Sequence, residues 1–522
     1  MPTVEETKVA PGTRRVIIIG AGFGGLGMAI RLRQEGIEDF VILERAEDIG
    51  GVWHYNTYPG CMCDVPSHLY SLSAAPNPNW SRTYSPQAEI REYLRDCVDR
   101  FGLRAHLRTG VEVQEARWLA SDMAWEVQTS AGTLRSRILV NGTGPLTEPK
   151  LPDVPGIEKF KGKKMHSARW DHEYDLSGKR VASIGTGASA IQYVPAIREA
   201  VGQLYVLQRT PPWIMPHSDR DIRGWERALY RRVPTAQRLV RAAVFYSKEL
   251  LVPGFVKDPK WMGLVQKISL KHIEKQVSDP VLREKVTPDY TIGCKRLLPS
   301  NRWYPALQAP NVELVTAGLK EVREHSVVDT LGVEREVDAI IFGTGFHVTD
   351  TPYARLFVGR DGTRLSDVWQ GSPRAYLGAT VPGFPNLFLL AGPNTGVGHT
   401  SLVYMIEAQV EHVLQAMRAM DARGAASVEV RPQAHEDFNQ ELDARMAKTV
   451  WSTGGCASWY MDATGRNASQ WPDWAWRFRQ LASHFEPTAY LLRQPSEAPV
   501  GAPRRATKRV QEPAEMPLEV KV

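Results

Sequence analysis

The chain has 522 residues, 43% of them apolar and 23% charged, enough for roughly two to four domains of ordinary globular composition. Its 64 basic and 58 acidic residues leave a net charge of +6, too mild at this length to argue for nucleic-acid binding. No apolar run approaches the ~18 residues of a membrane span, the opening MPTVEETKVAPGTRR lacks the apolar core of a secretory signal, and the odd count of five cysteines (Cys61, Cys63, Cys97, Cys294, Cys456) predicts reduced thiols in a cytoplasmic protein.

After an arm over residues 1–14, the stretch RRVIIIGAGFGGLGMAIRLRQEG reads as a buried strand, a glycine turn and a helix. Gly20, Gly22 and Gly25 give G-x-G-x-x-G: a tight turn, a place for backbone to approach a pyrophosphate, and close packing of helix on strand. The helix N-terminus then faces the phosphates. The next strand, DFVILE, ends at Glu44, whose carboxylate suits ribose hydroxyls. Strand, turn, helix and acidic end in register make a strong dinucleotide signal.

The exit strand ends in LVNGTGP, and a second unit follows. KRVASIGTGASAIQ carries Gly185 and Gly187, with Ser189 and Gln192 opening the helix, and QLYVLQRT is its second strand. At the offset where the first unit has Glu44, this one has Arg209, followed by Thr210. A guanidinium pairs with a 2′-phosphate that a carboxylate would repel. The first site therefore suits a nucleotide with a free ribose 2′-hydroxyl, expected to be FAD because this site opens the chain, and the second suits NADPH. Residues 219–289 read as a helical insertion in the NADPH part, and VDAIIFGTGF as the strand returning to the FAD domain. The expected architecture is α/β: two Rossmann-like domains, with the NADPH domain (148–340) inserted into a discontinuous FAD domain (15–147 and 341–490). A disordered tail over 491–522 contains the basic run RRATKR.

Disulfide reductases share such a layout but need a redox pair, typically C-x4-C, beside the flavin. Cys61 and Cys63 are one residue apart, poor geometry for a disulfide, and read as small buried thiols. That points toward oxygen chemistry.

FKGKKMHSARWD, between the two glycine turns, reads F-x-G-x-x-x-H-x-x-x-W-D at Phe160, Gly162, His166, Trp170 and Asp171. It resembles the fingerprint of the type I Baeyer–Villiger monooxygenases. Two further stretches resemble family signatures: GGVWHYNTYPGCMCD, with Trp53 and Asp64, and IGCKR, with Lys295 and Arg296. The resemblance runs from about Arg15 to Tyr490 and implies an FAD- and NADPH-dependent enzyme converting ketones to esters or lactones through a C4a-peroxyflavin. It implies Arg296 and Asp64 as catalytic residues, Arg296 as a cation that stabilises without protonating and Asp64 as its orienting partner beside the flavin. Lys295 would join Arg209 at the NADPH 2′-phosphate. Trp53 and Asn394 would line the flavin, and Trp451 would touch the nicotinamide cofactor. The fingerprint itself would couple domain movement to catalysis, with a linker packed by Phe160 and Trp170 as the simpler reading. The expected partners are a small ketone and O2, with no metal, no nucleic acid and no membrane span, in a monomer or homodimer. The alternatives are a flavin monooxygenase oxidising nitrogen or sulfur, whose motif usually lacks the Trp-Asp ending, and a non-catalytic NADPH-responsive protein.

Overall fold

The computed structural model describes residues 12–495; most of the expected arm, and the expected tail beyond residue 495 with its RRATKR run, lie outside the described residues. Two sheets organise the chain, the first mixed and the second all parallel. In the first, Thr13–Ile19 lies between Phe40–Leu43 and Gly132–Asn141, parallel to both. Val16, Ile17 and Ile18 are fully buried, as a β-branched run covered on both faces requires. Leu387–Leu389 pairs with the far end of Gly132–Asn141, so the C-terminal half returns to this sheet.

The second sheet has five strands, in the order Val312–Val315, Gln203–Leu207, Arg180–Ile184, Ala339–Phe342, Lys163–His166, all parallel. This corrects the reading of VDAIIFGTGF. Its strand, Ala339–Phe342, pairs inside the second sheet, and the chain crosses back only at the following glycine turn. Alternation of apolar residues marks a strand but cannot say which sheet will hydrogen-bond it. The first residues of the expected tail over 491–522 belong to a strand. Tyr490–Arg493 forms an antiparallel pair with Ser427–Val430, and Tyr490 is 2% exposed.

The helical insertion is present as Gly224–Arg232, Pro234–Glu249, Gly263–Gln276 and Pro280–Val286, with shorter helices between. It docks on segments attached to the first sheet as well as the second. Arg241 donates to the carbonyls of His68 (2.9 Å) and Ser71 (2.8 Å) and pairs with Glu407. Arg82 pairs with Asp219 at 2.6 Å. The insertion therefore braces both halves of the molecule. Among the described residues no helix is long and apolar enough to cross a membrane.

Only three of the five thiols are free. Cys61, Cys63 and Cys97 are buried thiols, and burial pushes Cys61 up to about 12. Cys294 and Cys456 are joined in a disulfide across 162 residues. The expectation of five reduced cysteines is overturned here, because a pairing over that distance leaves no trace in local spacing.

Candidate active site

Both glycine turns have the geometry a pyrophosphate needs. A Cβ on Gly25 would lie 1.8 Å from the Gly20 carbonyl, so only glycine lets the helix sit this close to the strand. At Gly187 a Cβ would meet nothing within 4 Å, leaving backbone open to a ligand. Glu44 is 6% exposed and accepts from the amides of Ala21 (2.8 Å) and Ala46 (2.9 Å), fixing its carboxylate at the first turn with about half its acceptor sites free. Trp53 is buried, and its indole N–H donates to Tyr70.

At the second turn, Arg209 and Thr210 line a cavity of about 510 Å³ with Gln208, Lys285 and Asp289. Arg209 is exposed and makes no ion pair among the described residues. Burial and the charge of Arg209 both lower the Lys295 pKa, so the two cations stand close together. Two positive charges, neither held in an ion pair among the described residues, stand beside an open glycine turn and fit the 2′-phosphate of NADPH.

Ser189 and Gln192 behave differently. Ser189 faces Tyr58. The Gln192 amide accepts from the Tyr58 hydroxyl (3.0 Å) and the Met62 amide (3.2 Å) and donates to the Met62 carbonyl (3.0 Å). Its side chain is spent on the Tyr58–Asp64 segment rather than on a nucleotide, and it ties the second glycine turn's helix to the first half of the chain. Asn394 is likewise corrected as a flavin donor. It is 4% exposed, its amide protons go to the carbonyls of Asn467 and Gln470, and its oxygen accepts from Arg466. Trp451 is 3% exposed and stacked on Phe255, packed in the core rather than presented to a cofactor, whereas the neighbouring Trp459 is 48% exposed.

Arg296 and Asp64 are brought together. Nε and Nη2 of Arg296 donate to the two Asp64 oxygens at 2.6 and 2.7 Å, with side chains 31% and 20% exposed. Burial pushes the Asp64 carboxyl up, but the guanidinium outweighs it and holds it below the usual range. The Asp64 charge raises Arg296 further. The fork leaves Nη1 without a partner among the described residues. Two residues that the sequence reading missed stand here. The Asp64 charge acts on both Lys248, from the helical insertion, and Tyr460. Neither lies in a motif; a lysine on a helix face and a tyrosine in a C-terminal loop carry no local signal.

The fingerprint residues form one connected joint. A Cβ on Gly162 would meet the Asp338 carbonyl at 2.4 Å and the Phe160 ring at 2.6 Å, which explains the F-x-G pair. His166 ends the edge strand opposite Phe342 and sets its ring edge-on to Phe346, in the return turn. Its Nδ1 accepts from the Ala168 amide, the Gly345 backbone lies against the ring, and burial outweighs that contact and lowers its pKa to about 4. Trp170 packs on Tyr193, and Tyr193 on Tyr58. Asp171 pairs with Lys163. The segment thus touches the second sheet and the return crossing and reaches the segment that carries Asp64 through Tyr193.

Among the described residues no cluster of His, Cys, Asp and Glu is arranged to hold a metal. A family model described as pyridine nucleotide-disulphide oxidoreductase matches residues 17–234. Over 489 residues, 94% of each chain, the sequence is 50% identical to a Baeyer-Villiger monooxygenase of Streptomyces coelicolor. It is 48% identical to one of Pseudomonas aeruginosa, over 94% of this chain and 93% of that one. Among solved structures, an oxidised steroid monooxygenase bound to NADP superposes with TM-score 0.81 at 30% identity, covering 92% of this chain and all of that one. A closed cyclohexanone monooxygenase gives 0.83 at 28% identity, over 92% and 99%.

Proposed function

This chain belongs to the Baeyer–Villiger monooxygenase family, and on that premise we propose how its residues divide the work. The enzyme uses FAD and NADPH and inserts one oxygen atom of O2 beside a ketone carbonyl, giving an ester or lactone. Bound FAD supplies the ring that activates O2, and bound NADPH supplies the hydride that reduces it. Gly20, Gly22, Gly25 and Glu44 hold FAD. Gly185, Gly187, Arg209, Thr210 and Lys295 hold NADPH, with Arg209 and Lys295 reading the 2′-phosphate.

Arg296 carries the chemistry of this chain. Ketone oxygenation puts negative charge on oxygen at successive stages, and a fixed cation in a water-poor site stabilises that charge without protonating it. The observation that carries this reading is the two-point pairing with Asp64. It pins the guanidinium plane, costs no reorganisation during reaction and leaves Nη1 free to donate. Oxidation of a soft amine or sulfide needs a protonated oxidant and gains nothing from such a cation, so the alternative is disfavoured. Incubation with NADPH, isotopically labelled O2 and a panel of cyclic, aryl and steroidal ketones, with amines and sulfides offered alongside, tests the reading. One labelled oxygen in an ester product is expected, and label found only in an N- or S-oxide would overturn it.

A further inference from the structure

Two stretches far apart in sequence meet beside Arg296. Cys294, two residues upstream, is fully buried and bonded to Cys456. The close approach is built into the backbone. The Thr291 amide donates to the Gly454 carbonyl at 3.0 Å. A Cβ on Gly454 would lie 2.7 Å from the Cys294 Cβ and 2.5 Å from the Val450 carbonyl, so any larger residue would force the two segments apart. Past Cys456 the chain turns outward, with Ala457 and Trp459 exposed. It is buried again at Tyr460, 1% exposed, which shares a cluster with Cys294, Phe255 and Trp451. Segment 455–459 offers little buried surface of its own, so the sulfur bridge is its main anchor.

We propose that the Cys294–Cys456 disulfide is a positioning element for the reaction: closed, it holds the segment leading to Tyr460 against the Lys295–Arg296 turn, and opened by a dithiol it releases that segment and diverts NADPH oxidation from ester to H2O2. The second half rests on the role of Arg296 argued above. A loosened segment admits water to a site that must exclude it, and it frees Tyr460 from its place near the Arg296–Asp64 pair.

The opening chemistry balances. Cys294 is 0% exposed, so a thiolate of the dithiol attacks the half-buried Cys456 sulfur. The Cys294–Cys456 bond breaks, and Cys294 leaves as a thiolate and takes a proton. The second thiol of the reductant then displaces Cys456, which is protonated in turn. Two protein thiols form, and the dithiol is oxidised to its own disulfide.

The test uses the FAD-loaded enzyme purified without reductant. Thiol titration after denaturation should find three thiols (Cys61, Cys63, Cys97), rising to five after dithiothreitol. Chymotrypsin should cut after Trp459 faster in the reduced enzyme. The H2O2-to-ester ratio should rise several-fold on reduction and in Cys456→Ser, and should fall again when the wild type is reoxidised. Reversibility in the wild type keeps the test valid if the variant folds poorly. Five thiols before reduction would overturn the proposal, as would unchanged cutting and an unchanged ratio after reduction. Thiol count and cutting do not depend on the role of Arg296, whose failure is read separately from Arg296→Ala.

Discussion

Arg296 and Asp64 meet through two parallel hydrogen bonds, 2.6 and 2.7 Å long, across 232 residues of sequence. A bidentate fork fixes orientation as well as charge. Arg296→Ala should still bind FAD and accept hydride from NADPH, yet lose ester formation by ~10²–10³ or more, with H2O2 as the product of reoxidation. Stopped-flow absorbance and product analysis separate the steps. Ester yield like that of the wild type would sink the assignment.

Asp64→Asn should act through Arg296. The neutral amide keeps the shape but weakens the pairing, at a cost of about 1.5–3 kcal/mol for a charged hydrogen-bonded group. The expected result is a lower Tm together with a partial rise in H2O2, milder than for Arg296→Ala. A variant as damaged as Arg296→Ala in chemistry but unchanged in Tm would mean that Asp64 does more than orient.

Arg209→Ala should raise the NADPH KM by ~10-fold or more, because a charge-assisted contact to phosphate is worth roughly 1.5–3 kcal/mol. NADH kinetics should change little. Equal losses for both cofactors would show that Arg209 does not read the phosphate.

Gln192 joins the two halves of the molecule through Tyr58 and Met62. Gln192→Ala strands those polar groups at a cost of about 1–3 kcal/mol. Flavin content should stay near that of the wild type while turnover falls, since the lost contacts lie between the halves and not at FAD. Turnover equal to the wild type at reduced Tm would assign Gln192 to packing alone.

Burial lowers His68, His166 and His412 to about 4. An unfolded histidine titrates near 6.5, so between pH 6.5 and 4 the unfolded chain binds protons that the folded chain refuses. Stability is therefore complete above about pH 6.5 and falls on acidification, by up to ~1.4 kcal/mol per pH unit for each group. His166→Gln removes one of the three. Its urea midpoint should drop less than that of the wild type between pH 7 and pH 5, and parallel drops would contradict the burial argument.

Short-range spacing made much of this protein legible in its sequence. The two glycine turns, the Glu44 and Arg209 strand ends and the helical insertion all follow from periodicities and offsets that one local element must satisfy by itself. The fingerprint was legible as a pattern but not as a mechanism: the contacts of His166 with Phe346 and of Trp170 with Tyr193 depend on which strands become neighbours.

Tertiary structure alone decided the rest. Ala339–Phe342 looks the same in sequence whichever sheet it joins, and only pairing with Lys163–His166 and Arg180–Ile184 places it. Gln192 and Asn394 have the chemistry of ligand donors, but their amides are consumed by Met62, Asn467 and Gln470 once the chain closes. Cys294 and Cys456 read as two thiols until folding brings them together. The physical reason is common to all of these. Local spacing fixes the direction in which a side chain leaves its own element, whereas the partner it meets is fixed by burial of apolar surface summed over the whole chain.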